Sequence, residues 1–123
     1  MLHFELKPAR WTQPSWESLN PACEIVDSEK VFTVAIDIPG FKKEDIEIEL
    51  KDRHLLVTGT RYAIVRPESE KVMRQERRFG QFQRVFSLPE AISEQNISAK
   101  FEDGVLEITI PKMEVASRKI TIL

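Results

Sequence analysis

The chain is poor in the residues on which most catalytic and redox chemistry depends. It has 123 residues and one cysteine, Cys23, so no internal disulfide can form, which fits a reducing cytoplasm. Its histidines, His3 and His54, are scattered, and no Cys-x-x-Cys or His-x-x-x-His pair occurs, so no metal site is expected. Four glycines leave little room for a phosphate-cradling loop, and no nucleotide or other cofactor is expected. No apolar run approaches a membrane span. The start, Met1-Leu2-His3-Phe4-Glu5, lacks the basic and then apolar layout of a secretory signal. Neither sign of charge is in marked excess: 18 basic against 20 acidic residues give a net charge of −2, with no general attraction to nucleic acid or anionic lipid.

What is there describes a soluble globular chain, 41% hydrophobic and 31% charged, long enough for one domain with a core. Its clearest signal is the stretch 97–111. Ile97, Ala99 and Phe101 alternate with Ser98, Lys100 and Glu102, the period of a half-buried strand. Asp103-Gly104 supplies a turn, and Leu106, Ile108 and Ile110 then alternate with Glu107 and Thr109 up to Pro111, which has no N–H for a ladder. One face of this hairpin is apolar and requires a second layer.

Further strands follow the same pattern. Residues 23–26 form a short one. Residues 31–38 form a long one, with Phe32, Val34, Ile36 and Ile38 on one face, and Pro39-Gly40 turns the chain. Ile46, Ile48 and Leu50 are expected to face inward from the next strand, and Leu55 and Val57 from the one after the Asp52-Arg53 turn. Residues 79–88 resume the pattern. Short strands with a turn about every ten residues argue for an all-β, two-sheet antiparallel sandwich of immunoglobulin-like type. A short helical or 3₁₀ turn is allowed around 90–94, after Leu88-Pro89.

Four segments do not fit a simple sandwich. Residues 1–21 are broken by Pro8, Pro14 and Pro21, yet carry Phe4, Trp11, Trp16 and Leu19. Such an arm either folds back on its own domain or packs on other proteins. Residues 61–72 are a polar excursion. Residues 72–78 retain only Val72 and Met73 among Arg74, Glu76, Arg77 and Arg78, so a strand there is an edge or pairs outside its own sheet. The chain also finishes on Ile120-Thr121-Ile122-Leu123, where Ile120 and Ile122 point the same way if extended and require an apolar slot. Arg84 is a further anomaly, because period 2 puts it on the face of Phe82, Phe86 and Leu88. It either snorkels to water at a sandwich edge or meets an acid across a subunit boundary.

In order and spacing these pieces resemble the small heat shock protein family, with its α-crystallin (Hsp20) domain, in the bacterial and plant branch. The carriers are Asp37-Ile38-Pro39-Gly40-Phe41 with Lys43-Glu44-Asp45-Ile46; Leu55-Leu56-Val57-Thr58-Gly59; Glu76-Arg77 with Phe79 through Pro89; Ala99 through Gly104-Val105-Leu106 to Lys112; and Ile120-Thr121-Ile122, matching the I-x-I tail motif. The resemblance covers about residues 22–123. It divides the chain into an arm (1–21), an α-crystallin domain (22–112) and a C-terminal extension (113–123).

The resemblance implies an ATP-independent holdase that captures partly unfolded client proteins, and no enzyme. It implies that residues 71–77 cross to a partner subunit and pair with its 23–26 strand, placing Cys23, Ile25, Val72, Met73, Arg74, Glu76, Arg77 and Arg84 at a dimer interface. It implies that Ile120 and Ile122 dock between two strands of a neighbouring dimer, lined by Ile46, Ile48, Leu50, Ile97, Ala99 and Phe101. The arm residues Phe4, Trp11, Trp16 and Leu19 would serve client capture or assembly. The arm is short for the family, and the chain stops one residue after the tail motif. A monomeric co-chaperone or adaptor of the related CS/p23-like sandwich type is the alternative. A hydrolase using Cys23 with His54 is a distant third.

Overall fold

The computed structural model describes residues 17–89, 91–113 and 119–123. Phe4, Trp11 and Trp16 lie outside them, as do residues 114–118 of the extension. Two four-stranded sheets pack face to face. The first has the order β1 (Glu17–Ser18), β6 (Gly80–Ser87), β5 (His54–Arg61), β4 (Ile46–Lys51). The second has the order β2 (Cys23–Asp27), β3 (Val31–Asp37), β8 (Val105–Pro111), β7 (Ser98–Glu102). Every pairing is antiparallel except that of the two-residue β1 with β6.

Period-2 alternation decides what lies between the sheets. Val34 and Ile36 on β3, Leu55 and Val57 on β5, Phe82 and Phe86 on β6, and Leu106, Ile108 and Ile110 on β8 are all buried, with Ile38 and Ile92 completing the core. No polar or charged side chain is buried with them among the described residues. The central strands thus bury one face each and give the other to water, as their alternating sequences require.

Two hairpins close on residues with positive φ. Asp52 and Arg53 have φ of 49° and 62°, and Asp103 and Gly104 have 54° and 74°. Both two-residue turns carry the backbone hand that matches the twist of the strands they join. Gly104 has a second constraint: a Cβ there would stand 3.1 Å from the Cα of Pro39. The Ile38 N–H donates to the Gly104 carbonyl at 2.8 Å, so the β7–β8 turn is held against the loop that leaves β3.

Two local expectations are corrected. The 3₁₀ turn falls at Glu94–Asn96 instead of 90–94. Ser93 N–H donates to the Pro111 carbonyl and Ile92 bridges to Lys112, which hold the preceding residues extended along β8. Arg61 is not part of the polar excursion; it ends β5, paired with Gly80. Residues 62–79 form no strand within this chain. Residues 66–78 are mostly charged and polar, and no free edge of the described sandwich takes the segment up.

Candidate functional site

The two sheets leave unlike edges. β1 and β2 are joined by four residues, 19–22, and so flank the same side of the sandwich, which puts β4 and β7 on the other. On the β1–β2 side the link is fastened down. Leu19 N–H donates to the Gln81 carbonyl at 2.8 Å, the Leu19 side chain packs against the core, and Asp37 N–H donates to the Ala22 carbonyl at 3.0 Å. For residues 17–22, therefore, the chain folds back on its own domain.

Arg84 sits at this seam. It lies in β6 between Phe82 and Phe86 on the inward face, half-buried, with its guanidinium 5.8 Å from the Phe86 ring centroid. Nη1 donates to Asn20 Oδ1 at 3.0 Å and Nη2 to Cys23 Sγ at 3.0 Å. One guanidinium thus ties β6 of the first sheet to the β1–β2 link and to the first residue of the second sheet. Both partners belong to its own chain. Cys23 is a half-buried strand residue against the core, and among the described residues its hydrogen-bond contact is with Arg84 and not with a histidine. His54 instead shares a 3.2 Å contact with the Ser87 hydroxyl at the far end of β5.

β2 itself is an open edge. Ile25 is 55% exposed and Val26 46%, although successive residues point to opposite faces of the sheet. A strand with apolar side chains bare on both faces and its outer backbone unpaired is a template for another strand. The loop 62–79 has the matching deficiency. Tyr62, Ile64, Val65 and Met73 are all more than half exposed, and the Arg66–Glu70 and Arg74–Glu76 ion pairs, at 3.1 and 3.8 Å, are solvent-exposed contacts that contribute little to stability.

On the opposite side, β4 and β7 are edge strands whose apolar faces are half covered. Ile46, Leu50, Ile97 and Phe101 pack against the core from its rim, whereas Ile48 and Ala99 are exposed. Among the described residues no further strand covers either edge, so the inward-facing Ile46-Ile48-Leu50 row lies at the rim of the sandwich with Ile48 open to solvent. A cleft of about 410 Å³ lined by Leu50, Asp52, Arg53 and Glu94 lies at one end of β4. The tail residues Ile120, Ile122 and Leu123 are almost fully exposed and contact neither edge of their own domain.

One cluster was not legible as a site in the sequence. The Arg61 and Arg77 guanidinium carbons lie 5.1 and 5.2 Å from the centroid of the Phe79 ring. The Arg61 side chain runs against Gly40, and its Nε is buried without a hydrogen-bond partner. Burial, and then the charge of Arg77, push the Arg61 pKa below its ordinary value. The signal was present: Leu55, Val57, Gly59 and Arg61 share one face of β5 by period 2.

Among the described residues no group of three or more His, Cys, Asp or Glu side chains converges as a metal site would, and no helix is long and apolar enough to cross a membrane.

Comparison with known proteins matches residues 24–123 to the Hsp20/alpha crystallin family. The chain therefore belongs to that family, the family of the small heat shock proteins. It is 37% identical over 103 residues to spore protein SP21 of Stigmatella aurantiaca, covering 83% of this chain and 61% of that one. It is 33% identical to small heat shock protein C2 of Rickettsia felis (86% and 70% covered) and 39% identical to a 17.8 kDa class I heat shock protein of Arabidopsis thaliana (68% and 54%). The chain thus spans a little over half to about two thirds of these relatives' lengths. Among solved structures, a small heat-shock protein from Xylella fastidiosa superposes with a TM-score of 0.75 at 32% identity, covering 86% of this chain and 98% of that one. The hspA protein of Xanthomonas axonopodis gives 0.64 at 36%, covering 75% and 92%.

Proposed function

We propose that the chain is a cytoplasmic, ATP-independent chaperone that holds partly unfolded proteins and keeps them from aggregating, working as a dimer-based homo-oligomer without catalysis. The observation that carries this reading is the pair of uncovered edges in a family member whose remaining segments are shaped to cover them. Residues 71–77, which find no place in their own sheets, pair with β2 of a second copy, where Ile25 and Val26 are bare. Cys23, Val72, Met73, Arg74, Glu76, Arg77 and Arg84 then lie at or near that interface. Ile120 and Ile122 enter the slot between β4 and β7 of another dimer, against Ile46, Ile48, Leu50, Ile97, Ala99 and Phe101.

In this division residues 22–112 are the domain, 113–123 the connector, and 1–21 the arm whose Phe4, Trp11, Trp16 and Leu19 serve assembly or client capture. The Xylella relative, reported to form a distinct high order structure, supports assembly of this kind. Capture of an unfolded chain requires exposed apolar surface and no bond-making, so a chain with one cysteine and two scattered histidines suits the task.

Size-exclusion chromatography with light scattering, together with a heated client protein, tests the proposal. Expected are an assembly of several dimers and a client kept soluble without nucleotide. A chain that stays monomeric at micromolar concentration and leaves client aggregation unchanged overturns it, and would favour the CS/p23-like adaptor.

A further inference from the structure

The paired arginines at Phe79 are the most conspicuous unmet electrostatic demand on the molecule. Arg61 and Arg77 approach the same ring within 5.2 Å, and neither makes an ion pair with a carboxylate among the described residues. Arg61 Nε is desolvated and unbonded, and a buried donor without an acceptor is costly. Two guanidinium groups packed on one ring bring together the planar, multidentate donors that carboxylates accept best. The same loop carries exposed large hydrophobic side chains: Tyr62 and Ile64 follow Arg61 in sequence, and Met73 precedes Arg77.

A carboxylate with the opposite deficiency lies on the open edge. β2 carries two acids, Glu24 and Asp27. Asp27 is engaged by Lys112 Nζ, which also donates to the Ser28 carbonyl at 2.6 Å and stands 4.5 Å from the Phe32 ring centroid. Glu24 is exposed and makes no ion pair among the described residues.

We propose that the Arg61–Phe79–Arg77 cluster is a carboxylate-binding site that takes Glu24 of a second copy of this chain. The inference rests on the proposed pairing of residues 71–77 with β2 and adds its electrostatic determinant. The new ion pair lies at the end of the crossing segment, where Phe79 re-enters its own sheet. It sets register, because a shift of the pairing by one residue turns Arg77 on the crossing segment to the other face of the sheet, while Glu24 is held by the pairing of β2 with β3. It also selects like copies, since a partner strand without an acid at this point leaves both arginines unpaired.

Sedimentation of the full chain over a dilution series tests this with E24R, R77E, the double variant E24R/R77E and R61Q, each checked by its circular dichroism spectrum and melting temperature. Each single variant is expected to weaken self-association about tenfold or more, and the double swap to restore it to within about threefold, as coupled charge pairs across interfaces do. A double variant no better than the two singles combined overturns the pairing, and so does wild-type binding of inorganic phosphate with self-association unchanged in R77E and R61Q, which would make the cluster a free-anion site. An assembly insensitive to all four variants overturns the pairing and leaves the oligomer reading standing. A monomeric wild-type chain overturns both.

Discussion

The ring of Phe82 lies directly over Gly59, its register partner on the neighbouring strand β5, so closely that a Cβ at position 59 would stand 2.5 Å from the ring's Cε1. Phe41 closes the same spot from the β3–β4 loop, edge-on to Phe82 with ring centroids 5.3 Å apart at 78°. Glycine at 59 is therefore a steric requirement of two aromatic rings. Gly59→Ala is expected to destabilise the domain by about 1–3 kcal/mol, as overpacking of a filled core does. Urea unfolding checks this, and a parallel Gly59→Ala, Phe82→Leu variant should recover part of the loss.

Arg84 holds the β1–β2 link through Asn20 and Cys23, so its contribution to stability is local to that seam. Arg84→Ala loses two hydrogen bonds from a charged donor and the packing over Phe86, a cost of about 1–3 kcal/mol. Lysine keeps the charge but not the fork, and Arg84→Lys should fall in the same direction. Hydrogen exchange should report the loosening at residues 17–23 before it reports any at β8.

Ile120 and Ile122 are 86% and 95% exposed in the single chain, so they contribute nothing to the domain's own folding. Deleting residues 120–123 should leave the melting transition of the domain unchanged while reducing the assembly to dimers. Light scattering and calorimetry on one sample separate the two effects. A fall in domain stability would place the tail on its own sheet instead.

Phe101 packs on the rim of the core and, in the proposed assembly, lines the β4–β7 slot. Phe101→Asp should lower stability and impair assembly together, because an unpaired carboxylate is costly in both places. Glu107 lies on the outer face of β8, 3.9 Å from Lys100 in a partly exposed pair. Glu107→Ala should change stability by less than about 0.5 kcal/mol, as surface ion pairs commonly do, and should leave assembly intact. Ala99→Asp is the informative intermediate: at an exposed slot position it should disturb assembly with little loss of stability.

The amino-acid order by itself determined the strands of the sandwich. Alternation of apolar and polar residues needs only the two-residue period of an extended chain, so Val34, Ile36, Leu55, Val57, Leu106, Ile108 and Ile110 were legible as inward residues and are buried. Asp103-Gly104 was legible as a turn because Gly, and to a lesser degree Asp, tolerates positive φ, and Asp52-Arg53 because it interrupts two alternating runs; Arg53 adopts φ of 62° without that tolerance. Arg84 on the inward face was legible by the same period.

What the tertiary structure decided is how strands far apart in sequence share space. Period 2 says which face of β4 is apolar but not whether anything covers it; only the position of β4 and β7 as outer strands leaves Ile48 and Ala99 bare. It placed Arg84 against Asn20 and Cys23, more than sixty residues away, and drew Arg61 and Arg77 to one ring. Local pattern is set by neighbours along the chain, whereas edges, seams and unpaired charges arise only when the sheets have been laid side by side.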